Sequence, residues 1–209
     1  MSITLIITAV SIGIIHTLLG PDHYIPFIML SKARGWGAAK TALITTACGA
    51  GHILGSVIIG FAGLWFGINV LHLEAFEGVR GSIAAWGFIA FGLVYFVWGL
   101  RRALKNRAQA DDAKINTTGW VLFIIFVLGP CEPLIPVLMY PAATGGGVWA
   151  MALIALIFGA ATITTMLTVV MGAYYGLSFV SLKPLQRWGN ALAGFAILAC
   201  GLSMQFLGL

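Results

Sequence analysis

His16-Thr17-Leu18-Leu19-Gly20-Pro21-Asp22-His23-Tyr24-Ile25-Pro26-Phe27 decides how this chain is read. It places a Gly-Pro break and several ionisable side chains inside an apolar run. Gly129-Pro130-Cys131-Glu132-Pro133-Leu134-Ile135-Pro136 repeats the device in the second half. A proline removes a backbone donor and clashes with the carbonyl four residues earlier. The carbonyls of Thr17 and Phe126 therefore lose their helical partners and must find others or face a cavity. Ionisable groups at membrane depth are costly and read as functional candidates.

Composition sets the class. The 209 residues are 60% hydrophobic and 8% charged, where a soluble domain carries about 25% charged residues. The expectation is an all-α polytopic membrane protein forming one domain over 1–209, with the lipid bilayer as its medium. The net charge of +5 lies in short loops, where it sets orientation, and does not point to nucleic acid. Cys48, Cys131 and Cys200 form no C-x-x-C pair and argue against a disulfide framework. Residues 3–19 lack a basic leader and read as a retained helix, not a signal peptide.

Six apolar segments approach or exceed the ~20 residues of a spanning helix: roughly 3–31, 38–64, 79–100, 119–139, 149–176 and 188–208. Trp36, Trp65, Trp98, Trp120, Trp149 and Trp188 fall at or near segment ends, as interfacial anchors do. Ten of the eleven Lys and Arg residues fall in the first, third and fifth connections. Only Arg80 lies in the second, with Glu74 and Glu77. The odd loops are then cytoplasmic and both termini outside. On this reading His72, Glu74 and Glu77 belong to an outer loop.

The halves resemble each other at an offset of 109. Gly20-Pro21 falls on Gly129-Pro130, and Ala84, Ala90, Gly92, Leu93, Gly99 and Leu100 fall on identical residues. Three helices per half imply opposite insertion. The expected fold is six transmembrane helices in two inverted three-helix repeats, about 1–100 and 119–209, around a cytoplasmic loop at about 101–118. Helices 1 and 4 are broken at Gly-Pro. Inverted repeats in transporters place the site near the midplane, on broken helices.

The metal-ligand candidates are His16, Asp22, His23, His52, Cys131 and Glu132. His16 and His23 would lie ~10 Å apart along a straight helix, too far to share an ion, so the break is a requirement of that reading. Otherwise His16 is a second station or a packed residue. Asp22 and His23 point ~100° apart in a regular helix but can face one cavity from unwound backbone. His52 lies near the centre of a glycine-rich segment, and Thr162 is its counterpart in the other half. Glu132 is an acid at mid-segment, and Cys131 aligns with Asp22. Cys48, Cys200, Met29 and Met139 read as packing. No nucleotide-binding, phosphate-loop or hydrolase pattern occurs, so no enzyme is expected.

At H-T-x-x-G-P-D-H-Y-x-P-F and G-P-C-E-P the chain resembles the superfamily around LysE-type exporters, which includes nickel/cobalt transporters of the NicO and UreH type and thiol–disulfide conduits of cytochrome c biogenesis. It is most similar to the sulfite exporter TauE/SafE-like and UreH-like group, over the whole chain. The resemblance to nickel/cobalt permeases, whose motif is H-x4-D-H, implies ligands at His16, Asp22 and His23, although five residues separate His16 from Asp22 here. The thiol conduits carry a cysteine in each broken helix, whereas this chain has Asp22 opposite Cys131.

The expected function is transport of a divalent transition-metal ion, nickel or cobalt first, by alternating access in the cytoplasmic membrane. The ion is substrate, and no permanently bound cofactor is expected. A homo-oligomer is compatible with this. One alternative is export of a small sulfur-containing or organic anion. That reading wants an Arg or Lys embedded at mid-segment, and the six segments carry theirs only at the ends, at Lys40 and Arg80. The other is a redox module using Cys131.

Overall fold

The computed structural model describes residues 2–105, 117–177 and 187–208, and every regular element among them is helical. In chain order these are α1 (Ile3–Leu19), a 3-10 turn (Pro21–His23), α2 (Ile25–Ala33), α3 (Ala38–Trp65), α4 (Val70–Leu104), α5 (Thr117–Leu128), α6 (Leu134–Ala143), α7 (Gly147–Gly176) and α8 (Gly189–Leu207).

Each Gly-Pro pair ends a helix. α1 stops at Leu19, and the axis turns by 86° into the segment Pro21–Ala33. Pro26 then sits at the start of α2, where its missing N–H costs nothing. α5 stops at Leu128, and α6 begins after Pro133. The segment expected at 119–139 is therefore two short helices. The α5 rise of ~18 Å is well short of a ~30 Å hydrocarbon layer. α3, α4, α7 and α8 have the length and apolar composition of membrane spans, and α1 with α2 makes a fifth if the bent pair is one span. Many large apolar side chains face outward, among them Ile7, Leu43, Ile58, Val94 and Leu156.

One boundary and one residue placement differ materially from the sequence reading. α4 starts at Val70 rather than near 79, because Asn69 caps it by accepting from the Leu71 N–H at 3.0 Å and no proline interrupts it. His72, Glu74, Glu77 and Arg80 are thus helical, not in a loop. Glu77 is fully buried and Arg80 is 8% exposed. Trp36, expected at an interface, is buried in the core with Leu30, Tyr95 and Val170. Most of the expected cytoplasmic loop, including Arg107 and Lys114, lies outside the described residues, as does Lys183.

The tightest helix contact is between α4 and α8. Gly92 and Gly99 of α4 meet the backbone of Leu198 and Ala191, while Gly194 and Gly201 of α8 meet the backbone of Phe96 and Ile89. Partner numbers fall on one helix as they rise on the other, so the helices run antiparallel. A Cβ at any of these positions would overlap main chain, which is why small residues line such approaches. α1 packs on α7 and α3 on α5, with α3 also against α7. Gly51 admits Val127 and Phe123 of α5, and Gly13 of α1 lies against Phe158, Ala161 and Thr162 of α7.

Candidate metal centre at the helix breaks

The first break folds back on itself. The Gly20 N–H donates to the His16 carbonyl, His23 N–H to Gly20 and Tyr24 N–H to Pro21. The His23 ring lies over Gly20, where a Cβ would fall 2.5 Å from Nδ1 and 2.8 Å from an Asp22 carboxylate oxygen. Glycine at this position is what lets the ring close over the turn. His23 Nδ1 is then 3.2 Å from the Gly20 carbonyl and 3.1 Å from Asp22 Oδ1. A carbonyl and an ionised carboxylate can only accept, so Nδ1 carries the proton. Nε2 is buried and without a partner, and in the neutral ring it holds the free lone pair.

His52 arrives from the middle of α3 and is oriented the same way. Its ring bonds the backbone of Phe126, whose carbonyl lies beside Nδ1 at the Gly129 end of α5. Phe126 carries the carbonyl that Pro130 deprives of a helical donor. The Gly129 N–H donates to this carbonyl at 3.1 Å with His52 Nδ1 close beside it, and His52 Nε2 is likewise buried without a partner. Metal-binding histidines donate their second ring N–H to a carboxylate or carbonyl in this way, which fixes tautomer and orientation.

The bend brings the remaining donors in. His16 and His23 rings stand edge to face with centroids 4.7 Å apart, His23 and His52 at 5.1 Å, and His16 and His52 stack at 6.3 Å. The Sγ of Cys131 is 4.0 Å from His16 Nε2. One donor atom each from His16, His52 and Cys131 lie within 4.8 Å of one another. Around a tetrahedral ion, bond lengths of ~2.0–2.1 Å to nitrogen and ~2.3 Å to sulfur separate donors by about 3.3–3.8 Å. A contraction of about 1 Å would suffice.

The three histidines line a cavity of about 660 Å³ that also touches Asp22, Pro130 and Glu132, while Cys131 sits behind its wall. Its wall includes Gly81 of α4 and Gln205 and Gly208 at the end of α8. Behind His52 the packed rings of Phe27, Phe88 and Phe126 are buried. Of the sequence candidates, His16, Asp22, His23, His52 and Cys131 come together. The tight donor group holds only His16, His52 and Cys131; Asp22 and His23 pack beside it, and Glu132 lies on the same cavity but is exposed. Cys48 and Cys200 are buried.

The sequence reading missed a polar cluster behind Cys131. Arg80 pairs with Glu77 one helical turn away, and its Nη2 donates to the carbonyls of Val127 and Gly129 at 2.9 and 3.2 Å. Ser56 Oγ donates to Glu77 Oε2 at 2.7 Å. The Cys131 N–H donates to Ser56 Oγ and Glu77 Oε2 at 3.0 and 3.1 Å. The signal was Glu77-x-x-Arg80, opposite charges on one helix face in a stretch without a helix-breaking proline. No protein-family model, curated protein or solved structure matches the chain.

Proposed function

We propose that the chain is a transporter of a divalent transition-metal ion, nickel or cobalt first, working by alternating access from the cavity at the two Gly-Pro breaks. One observation carries this. His23 and His52 each keep a buried Nε2 without a partner, in rings packed on one another and on His16, where His16, His52 and Cys131 offer donor atoms within 4.8 Å. Burying an imidazole nitrogen with no partner is unfavourable, and an arriving cation removes that cost. Imidazole suits nickel, cobalt, copper and zinc, and a thiolate moves preference toward softer ions. Asp22 supplies negative charge beside the ring it orients.

The six-span inverted repeat is part of the proposal, with α1–α2 and α5–α6 as its broken spans. The α4–α8 seam supports it. Moving the Gly92–Leu198 contact by the sequence offset of 109 gives Gly201–Ile89, which is also a contact. A two-fold relation between the halves demands this correspondence. The same exchange relates the packing of α3 on α5 to that of α1 on α7. With both termini outside, as the Lys/Arg distribution implies, the cavity at the end of α8 opens outward and the phenylalanine cluster closes the inner side. The chain would then sit in the cytoplasmic membrane as a relative of the LysE-type superfamily. Arg80 does not favour the anion reading, because Glu77 and two carbonyls already occupy its guanidinium.

The test is nickel or cobalt binding by the purified protein together with ion flux in vesicles. The reading predicts saturable binding that His23→Ala and His52→Ala each weaken strongly. Unchanged binding in the double variant would return these histidines to a packing role.

A further inference from the structure

The two breaks are satisfied differently. At Gly20–Tyr24 the N–H groups of Gly20, His23 and Tyr24 bond nearby main-chain carbonyls, and the only side chains used are the segment's own His23 and Tyr24. At Gly129–Pro133 the chain leans on side chains from α3 and α4. The last carbonyls of a helix and the first N–H groups of the next have no internal partners, and two prolines in this segment donate nothing. Arg80 supplies donors to Val127 and Gly129, and Glu77 with Ser56 accepts from Cys131 N–H. Gly55 leaves the room for this. A Cβ there would meet Arg80 Nη2 and lie 3.0 Å from the Val127 carbonyl.

A buried ion pair is weak evidence for stability, since its desolvation offsets its attraction, but it can fix one arrangement among several. This pair fixes the backbone of one residue, Cys131, whose thiol then faces His16. We infer that Ser56, Glu77 and Arg80 are positioning residues that hold the α5–α6 break so that Cys131 is presented as a ligand to the ion. The inference rests on the metal-transport reading for its ligand. The clamp itself can be tested without any metal.

The experiment uses the full chain in nanodiscs, with Co²⁺ as probe, comparing wild type with Ser56→Ala and Glu77→Gln. Wild type should show ligand-field bands and a near-ultraviolet thiolate-to-cobalt charge-transfer band. Both variants should keep the ligand-field bands, because the histidines remain, and lose at least half of the charge-transfer intensity. Separately, in metal-free protein, alkylation by a maleimide is read cysteine by cysteine by mass spectrometry. Cys131 should react at least tenfold faster in both variants, with Cys48 and Cys200 unchanged. Wild-type cobalt binding without the charge-transfer band, or unchanged band and alkylation in the variants, overturns the inference and leaves the histidine site standing. Absence of cobalt binding overturns the transport reading, and the alkylation result then decides the clamp alone. If all three cysteines become reactive in Glu77→Gln, Ser56→Ala decides. The same general exposure in Ser56→Ala makes the cluster a folding element only and overturns the inference.

Discussion

Cys131 Sγ and His16 Nε2, from opposite halves of the chain, stand 4.0 Å apart. Cys131 is a free thiol, as are Cys48 and Cys200. If the pair holds an ion, Cys131→Ser should preserve the fold, weaken binding at least tenfold for thiophilic ions and shift preference toward harder ones. Competition titrations of zinc against nickel measure this. A mixed disulfide through Cys131 trapped from cells would instead favour the redox alternative.

Pro130 should matter through a carbonyl it does not itself contain. Pro130→Ala supplies an N–H that can take the Phe126 carbonyl and compete with His52 for it. Loss of an outer partner of a metal-binding histidine typically costs 10–100-fold in affinity, and that range is expected here. Affinity equal to wild type would detach His52 orientation from the break.

Gly20→Ala should displace the His23 ring, because the new methyl would overlap Nδ1 and the Asp22 carboxylate. Metal affinity should fall at least tenfold with little change in stability, since the clash lies in a turn. Calorimetric titration alongside an unfolding curve separates the two effects.

Binding should also weaken as pH falls, because protons compete for the nitrogen and sulfur lone pairs that hold the ion. Proton release on cobalt addition in weakly buffered solution checks the sign. No release would show that the ligands are not the imidazoles and the thiol.

The α4–α8 seam should be intolerant of a single methyl. Gly194→Ala overlaps the Phe96 backbone and should destabilise the fold by about 1–3 kcal/mol, the range for overpacking. Gly172→Ala, with open space around it, should be neutral or stabilise by up to about 1 kcal/mol. Equal stability of the two variants would remove the case for a close-packed seam.

The positions of both breaks were legible because a glycine next to a proline acts locally: Pro21 and Pro130 each follow a glycine and end a helix, whereas Pro141, without one, is carried inside α6. His52 was legible as a lone imidazole in an apolar helix. Its orientation was not, since that depends on the Phe126 carbonyl arriving from another helix. Glu77 and Arg80 were misplaced because a charge usually ends an apolar segment. Here the two lie one turn apart and cancel, so α4 runs through them into the interior. Orientation rests on Lys and Arg placement alone, and Ala110→Cys tests it. Labelling of that position from outside intact cells would reverse the assignment of the cavity to the outer face.

The partner of Gly92 in the seam is Leu198, about a hundred residues later. At ~5–20 residues per second, the ribosome takes roughly 5–20 s to make the second strip of this contact after the first. During that interval α4 carries a glycine-lined face with nothing packed on it. The first half of the molecule is therefore born incomplete, and any nascent chain that stops before Gly189 remains so. Quality control that recognises an uncovered glycine face would have that interval, and that single helix, to act upon.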